Sequence, residues 1–139
     1  MGRFAIDSVT LVGLRKKIDS VAFEAIRTTN TEQGYITFLD EHPLAEQKAE
    51  AITLRNEVAF QDAVKENTYM AFLQFLNKYP QAGRAPEARQ KYDRLLYEAL
   101  TNDKRLSTFE NFLRLHPETP FRKEIELNIF EQTTMAGDA

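Results

Sequence analysis

FLQFLNKYP, residues 72–80, is the stretch that decides the fold, because near-copies of it stand 37 residues to either side. The copies are YITFLDEHP at 35–43 and FENFLRLHP at 109–117, so the shared pattern is aromatic-x-x-Phe-Leu-x-x-(His/Tyr)-Pro. A fixed period between about 20 and 50 residues is typical of stacked structural repeats, since one such unit cannot bury its apolar face alone. The sequence therefore predicts a stacked-repeat scaffold.

Each copy is predicted to form the second helix of a helical hairpin. The residue before a proline is disfavoured in the α conformation, so these helices should end at His42, Tyr79 and His116. The predicted N-caps of the three helices are Asn30 or Thr31, Asn67–Thr68, and Asn102 or Asp103.

The helices that precede these copies show apolar residues at helical spacing. The first of them is predicted to be capped by Asp7 or Ser8 and to fade before Thr28. Its apolar residues follow a period near 3.6 and are Leu11, Leu14, Ile18, Val21, Ala22 and Ala25. Pro86 is expected in the first turn of the third such helix, where its missing N–H is tolerated.

The predicted organisation is one all-α domain over residues 1–139, with seven helices. Its three hairpins span about 7–43, 44–80 and 81–117, and the first helix of the second hairpin runs from about Leu44 to Lys65. A seventh helix over about 119–133, opened by Pro120, is predicted to cap the C-terminal end with polar residues, and the tail after Thr133 to fray.

Composition excludes several classes of protein. A hydrophobic content of 42% with ten Phe can fill a core, and a net charge of −3 without a basic block does not favour nucleic acid or an anionic membrane. The chain has no cysteine, so it can form neither a disulfide nor a thiolate metal site, although this does not fix the compartment. No stretch approaches the ~18 apolar residues of a membrane span, and residues 1–10 lack the pattern of a secretion signal.

The sequence predicts no enzyme, no cofactor and no metal site. It has no Gly-rich phosphate loop, G-x-S-x-G elbow or H-E-x-x-H motif. Its only histidines, His42 and His116, hold equivalent positions two units apart, whereas metal ligands must converge on one point. We expect them instead to pack beside Pro43 and Pro117, as Tyr79 does beside Pro80.

The aromatic-x-x-Phe-Leu-x-x-x-Pro phrase resembles the second helix of the tetratricopeptide repeat. The form Phe75-Leu76-x-x-Tyr79-Pro80, with Asn-Thr opening the helix, is similar to the repeats of bacterial envelope assembly lipoproteins and of the periplasmic Tol–Pal coordinator protein. Two features depart from that family. The usual small residue is Phe at 38, 75 and 112, and the period is 37 instead of about 34.

This resemblance implies a right-handed α-solenoid of about three tetratricopeptide-like hairpins plus a capping helix. It also implies binding of a partner segment on the concave face, in the setting of bacterial envelope assembly, with no cofactor. The expected location is the periplasm if a signal or anchor has been removed from the chain, and the cytoplasm otherwise.

Two columns of residues on the first helices are candidates for a partner-binding groove. One is aromatic and contains Phe23, Phe60 and Tyr97, and the other is polar and contains Asp19, Asn56, Asp93 and the neighbouring Arg94. Each column has a second interpretation: the rings pack against the partner helix of their own hairpin, and the polar residues form a solvated face. The packing and solvation interpretations are preferred, and the groove is the functional alternative.

The function predicted from these observations is a non-enzymatic protein–protein interaction scaffold. Its partner is a protein or peptide whose identity the sequence does not give. The alternative is a self-associating structural module or a fragment of a larger multidomain protein, which exposure of Phe4 and Ile6 would favour.

Overall fold

The computed structural model describes residues 8–138, and over this range the chain is all-α with seven helices and no strand. The helices are α1 (Ser8–Thr29), α2 (Glu32–Glu41), α3 (Lys48–Glu66), α4 (Tyr69–Lys78), α5 (Ala85–Leu100), α6 (Leu106–Leu115) and α7 (Arg122–Asp138). The predicted all-α class and the number of helices are confirmed, whereas Asp7, Phe4 and Ile6 lie outside the described residues. None of the described helices is long and apolar enough to span a membrane.

Threonine caps start the second helices of the first two pairs, as the sequence predicts. The hydroxyl of Thr31 accepts a hydrogen bond from the Gly34 N–H at 3.0 Å, and that of Thr68 accepts one from the Ala71 N–H at 3.1 Å. Each bond satisfies a backbone donor that has no partner inside the helix.

The third of these helices starts differently from the prediction. Its N-cap residue is Arg105 and makes no side-chain capping bond. Asp103 lies two residues before this N-cap, and its carboxylate accepts hydrogen bonds from the Arg105 N–H and the Thr108 hydroxyl. The prediction of Asn102 or Asp103 as the N-cap is therefore wrong.

The ends of α2, α4 and α6 are equivalent and confirm the effect of proline. The backbone N–H groups of His42, Tyr79 and His116 each donate to the carbonyl of the phenylalanine four residues earlier, all at 2.8 Å. Proline follows in every case and cannot continue the helix.

A residue with a left-handed backbone conformation precedes each of these helices. Asn30, Asn67 and Lys104 have φ of 53°, 54° and 58°, and they stand 37 residues apart. Asparagine tolerates this conformation better than most residues with a side chain, so lysine at the third position is the unfavourable choice.

The core consists of three clusters of buried side chains, one for each pair of helices. The first lies between α1 and α2, the second between α3 and α4, and the third between α5 and α6. Each cluster is completed by the start of the next helix, which contributes Ala51, Ala88 or Ile125. In the described part of the chain, the extensive helix–helix contacts all join helices that are consecutive in sequence.

Two predictions about the helices are wrong. Helix α3 starts at Lys48 rather than near Leu44, because residues 43–47 form turns in which the Ala45 and Lys48 N–H groups bond to carbonyls three residues back. Helix α7 continues to Asp138 instead of fraying after Thr133. The exposed residues of this helix include the apolar Leu127, Phe130 and Met135.

Candidate functional site

The aromatic column of the first helices lies in the core. Phe23, Phe60 and Tyr97 are all buried. Each ring packs on the Phe of the Phe-Leu pair in its own hairpin, with ring centroids 5.5, 5.6 and 5.6 Å apart in the three units. The three rings therefore pack against the partner helix of their own hairpin. They do not line an open groove in this conformation, because they are too fully covered to offer a surface to a ligand.

Asp19 of the polar column is buried as well, which differs from the expected solvated face. The residue is only 7% exposed, and its Oδ1 lies 2.9 Å from Nδ1 of His42. The His42 ring stacks on Phe38 at 5.0 Å between centroids. A buried carboxylate needs a polar partner, and His42 provides it for Asp19. The His42 ring is thus held by the Asp19 carboxylate at its edge and by the Phe38 ring at its face.

The spacing of this pair recurs in the other two units. Asp19 precedes His42 by 23 residues, and Asn56 precedes Tyr79 and Asp93 precedes His116 by the same interval. A repeated interval between a polar residue and a ring is the sequence signal that could have indicated the buried pair.

In the second unit, an arginine takes the place of the direct contact. The guanidinium of Arg55 lies 4.4 Å from the Tyr79 ring centroid and donates to Asn56 Oδ1 at 3.0 Å. Burial raises the pKa of the Tyr79 phenol, and the carboxylate of Glu32 acts in the same direction. Asn56 is half-buried, and the Arg55 guanidinium contacts both Asn56 and the Tyr79 ring.

In the third unit, the polar residues border two open spaces. Asp93 lies 3.4 Å from Nε of Arg89 and lines a small cavity of about 140 Å³ together with His116. On its other side is a larger space of about 580 Å³ between α5 and the start of α7, lined by Glu87, Gln90, Lys91, Asp93, Arg94, Pro120 and Phe121. We refer to this larger space as the α5–α7 concavity.

Arg94 is the predicted groove residue that is most accessible. Its side chain is 65% exposed, its guanidinium lies 5.4 Å from the Phe121 ring centroid, and Nη1 is 3.9 Å from a Glu98 oxygen. Phe121 in turn stacks on Tyr97 at 4.9 Å, so the aromatic wall of the concavity is supported by the core. The arrangement places a cation, a carboxylate, an amide and the edge of an aromatic ring around one open space.

Arg84 and Glu57 join the second and third units at the surface of the first helices. Nε and Nη2 of Arg84 donate to the two carboxylate oxygens of Glu57 at 3.1 and 3.2 Å. These bonds lower the pKa of Glu57, and a hydrogen bond from Gln61 lowers it further. The pair fixes the turn before α5 against α3.

The outer side of α1 carries an apolar surface made of residues that the sequence groups by their helical period. Leu11, Leu14, Ile18 and Val21 share one side of this helix, and all four are exposed. We call these four residues the α1 outer stripe. A groove of about 420 Å³ runs beside it, with Leu11, Leu14 and Ile18 on one wall and Pro43 and Leu44 on the other.

Over residues 8–138, no group of three or more His, Asp or Glu side chains is placed to hold a metal ion. His42 and His116 each have a phenylalanine ring as their nearest aromatic neighbour, at 5.0 and 4.8 Å.

No family model matches this chain, and no curated protein or solved structure is significantly similar to it.

Proposed function

We propose that this chain is a non-enzymatic protein–protein interaction scaffold whose first helices, α1, α3 and α5, bind a segment of a partner protein. The observation that carries the proposal is the α5–α7 concavity, where Gln90, Asp93, Arg94 and Phe121 border one open space. Binding sites for peptides combine an apolar or aromatic wall with a few polar groups that fix orientation.

The proposed architecture behind this function is a right-handed α-solenoid of three tetratricopeptide-like hairpins with α7 as a cap. Two features support it: the helices make their extensive contacts in chain order, and each hairpin contributes one equivalent core cluster. A quasi-one-dimensional arrangement of this kind presents the first helices side by side on one surface. Assembly at a bacterial envelope is the proposed setting, supported by the resemblance of the Phe-Leu-x-x-Tyr-Pro phrase alone.

The chemistry of the concavity describes the segment that should bind. Arg94 lies close to Phe121, so a carboxylate of the partner can meet the guanidinium while an apolar side chain contacts the edge of the ring. The Gln90 amide can donate and accept hydrogen bonds with an extended backbone, and the Asp93 carboxylate can accept them. We therefore expect a short segment that combines one acid with one large apolar residue.

Selection from a random peptide library tests this proposal directly. Peptides selected on the wild-type protein should bind the Arg94→Glu variant at least about tenfold more weakly, because a cation at the site becomes an anion. Arg114→Glu is the matched control, since Arg114 is also an exposed arginine but lies on α6. Peptides that bind Arg94→Glu and wild type equally would contradict the proposal.

Self-association is the second candidate function, and the neighbouring exposed apolar residues Leu127 and Phe130 on α7 are the observation that favours it. A contiguous apolar surface on a helix is typical of an interface. Light scattering over a range of concentrations separates the two candidates: a stable dimer supports self-association, and a monomer at all concentrations contradicts it.

A further inference from the structure

The central position of the α1 outer stripe, Leu14, is one that is buried in each later unit of the described chain. Leu14 is equivalent to Ala51, Ala88 and Ile125 by the 37-residue repeat. Those three residues are 0% exposed, whereas Leu14 is 50% exposed. Leu14 is thus the one described member of this set whose side chain is open to solvent.

The covering element is the same in all three buried cases. Ala51, Ala88 and Ile125 belong to clusters that contain Phe38, Phe75 and Phe112 from α2, α4 and α6 respectively. The neighbouring positions agree, because Val58 and Leu95 pack on these clusters while their equivalent Val21 is exposed. The molecule therefore contains three examples of one interface, in which a second helix lies across the outer side of the next first helix.

A large aliphatic residue is compatible with this interface. Ile125 is fully buried against α6, although the equivalent residues of the two earlier units are the smaller Ala51 and Ala88. Leucine at position 14 is similar in size to isoleucine and can be enclosed in the same way.

The charged residues beside the stripe indicate the charge of the molecule that should bind there. Arg15 and Lys17 flank the stripe, and neither makes an ion pair with any described residue. An occupant that carries carboxylates would neutralise them, and complementary charge favours both the correct register and fast association.

A second copy of the folded chain fits this surface poorly. The apolar sides of its α2, α4 and α6 are already buried in its own clusters. Two outer stripes packed antiparallel in full register have their midpoint at Lys16, which sets Arg15 and Lys17 of one copy beside the same cations of the other.

We propose that the α1 outer stripe binds, in trans, an amphipathic helix of the same class as α2: an aromatic-x-x-Phe-Leu helix with acidic residues. The occupant is a helical segment of a different polypeptide, lying antiparallel to α1 as each second helix lies against the first helix that follows it. This surface shares no residue with the α5–α7 concavity, so the two proposals can fail independently.

The chain itself supplies matched probes for the test. A synthetic peptide of residues 30–45 has the phrase and the acids Glu32, Asp40 and Glu41, with no Lys or Arg. A peptide of residues 67–82 has the same phrase with a single charged residue, Lys78. Binding of labelled peptide to the full chain is measured by fluorescence anisotropy, with Phe38→Ser and Leu39→Ser combined in one peptide as the negative control.

We expect the acidic peptide to bind, and Leu14→Glu in the protein to weaken binding about tenfold or more, because a charge enters the apolar contact. Val21→Glu should act in the same direction, and circular dichroism checks that both variants remain helical. Leu127→Glu, at a similarly exposed leucine on α7, should leave binding unchanged. The peptide of residues 67–82 should bind more weakly, and the difference should shrink in ~1 M salt, where charges are screened.

Three results would overturn the proposal. The first is no binding of the acidic peptide at concentrations up to ~1 mM. The second is equal binding to wild type and Leu14→Glu. The third is a concentration-dependent dimer that Leu14→Glu dissociates, since the occupant would then be a second copy.

Discussion

Replacing Phe60 by alanine should destabilise the protein strongly. The ring is 2% exposed and lies between two other rings, with centroids 5.6 Å from Phe75 and 6.2 Å from Phe72. Removal of a buried phenylalanine costs about 3–5 kcal/mol, because the transfer energy is lost and a cavity remains. The lost ring–ring contacts account for about 0.5–1.5 kcal/mol of this per pair.

Urea denaturation followed by circular dichroism measures this loss. Domains of this size are stable by about 5–15 kcal/mol, so the change removes a large share of the total and should lower the midpoint visibly. Phe130→Ala is the matched control, because Phe130 is 67% exposed on α7. Its loss should be within about 0.5 kcal/mol.

The comparison decides between core and groove for the aromatic column. A loss below about 1 kcal/mol for Phe60→Ala, or a loss equal to that of Phe130→Ala, would refute the assignment of this ring to the core. A partner-binding role alone would leave the free energy of unfolding unchanged.

Three further changes test particular contacts. Asp19→Ala should lower the free energy of unfolding by about 1–3 kcal/mol, because Nδ1 of the half-buried His42 loses its partner; an unchanged urea midpoint would contradict this. Glu57→Gln should destabilise the protein at neutral pH and lose this effect below about pH 4. Hydrogen bonds from Arg84 lower the pKa of Glu57, so the carboxylate stabilises the fold above the unfolded-state pKa, and this stabilisation disappears as the pH falls through the folded-state pKa. A destabilisation that does not depend on pH would contradict this prediction. Lys104→Asn should stabilise by about 0.5–1 kcal/mol, since φ there is 58°, and a lower melting temperature would contradict the backbone argument.

Local signals were sufficient to predict much of the helical framework. Thr31 and Thr68 cap their helices, and the helix ends before Pro43, Pro80 and Pro117 lie where the proline rule puts them. These features depend on a few adjacent residues, so sequence carries them directly. Asp103 shows the limit, because its side chain bonds to a turn whose length the residue types do not fix.

The buried face of α1 could not be predicted in this way. Periodicity groups Leu11, Leu14, Ile18 and Val21 on one side of a helix, and the obvious conclusion is that this side faces the core. The structure instead buries Phe23 and Asp19 and exposes the stripe. Periodicity identifies which residues share a face, but whether the face is covered depends on another element.

The internal repeat supplies the information that periodicity lacks. Aligning Leu14 with Ala51 shows both the face on which a neighbour should lie and the kind of helix that lies there in the other units. The same alignment explains Asp19, whose counterparts Asn56 and Asp93 also stand 23 residues before a ring. Buried carboxylates are rare enough that a single sequence position would not suggest one, and only the recurrence of the interval raises the expectation.

The two open surfaces differ in a way that bears on what each can recognise. The α5–α7 concavity is bordered by Gln90, Asp93 and Arg94 around one ring, so it can discriminate between partners by hydrogen bonds and charge. The α1 outer stripe is aliphatic and matches an interface that the chain already forms three times, so its selectivity must come from helix shape and from the flanking cations. A partner that used both surfaces would need an extended segment for the first and a helix for the second, which makes the two contacts separable by mutation even within one complex.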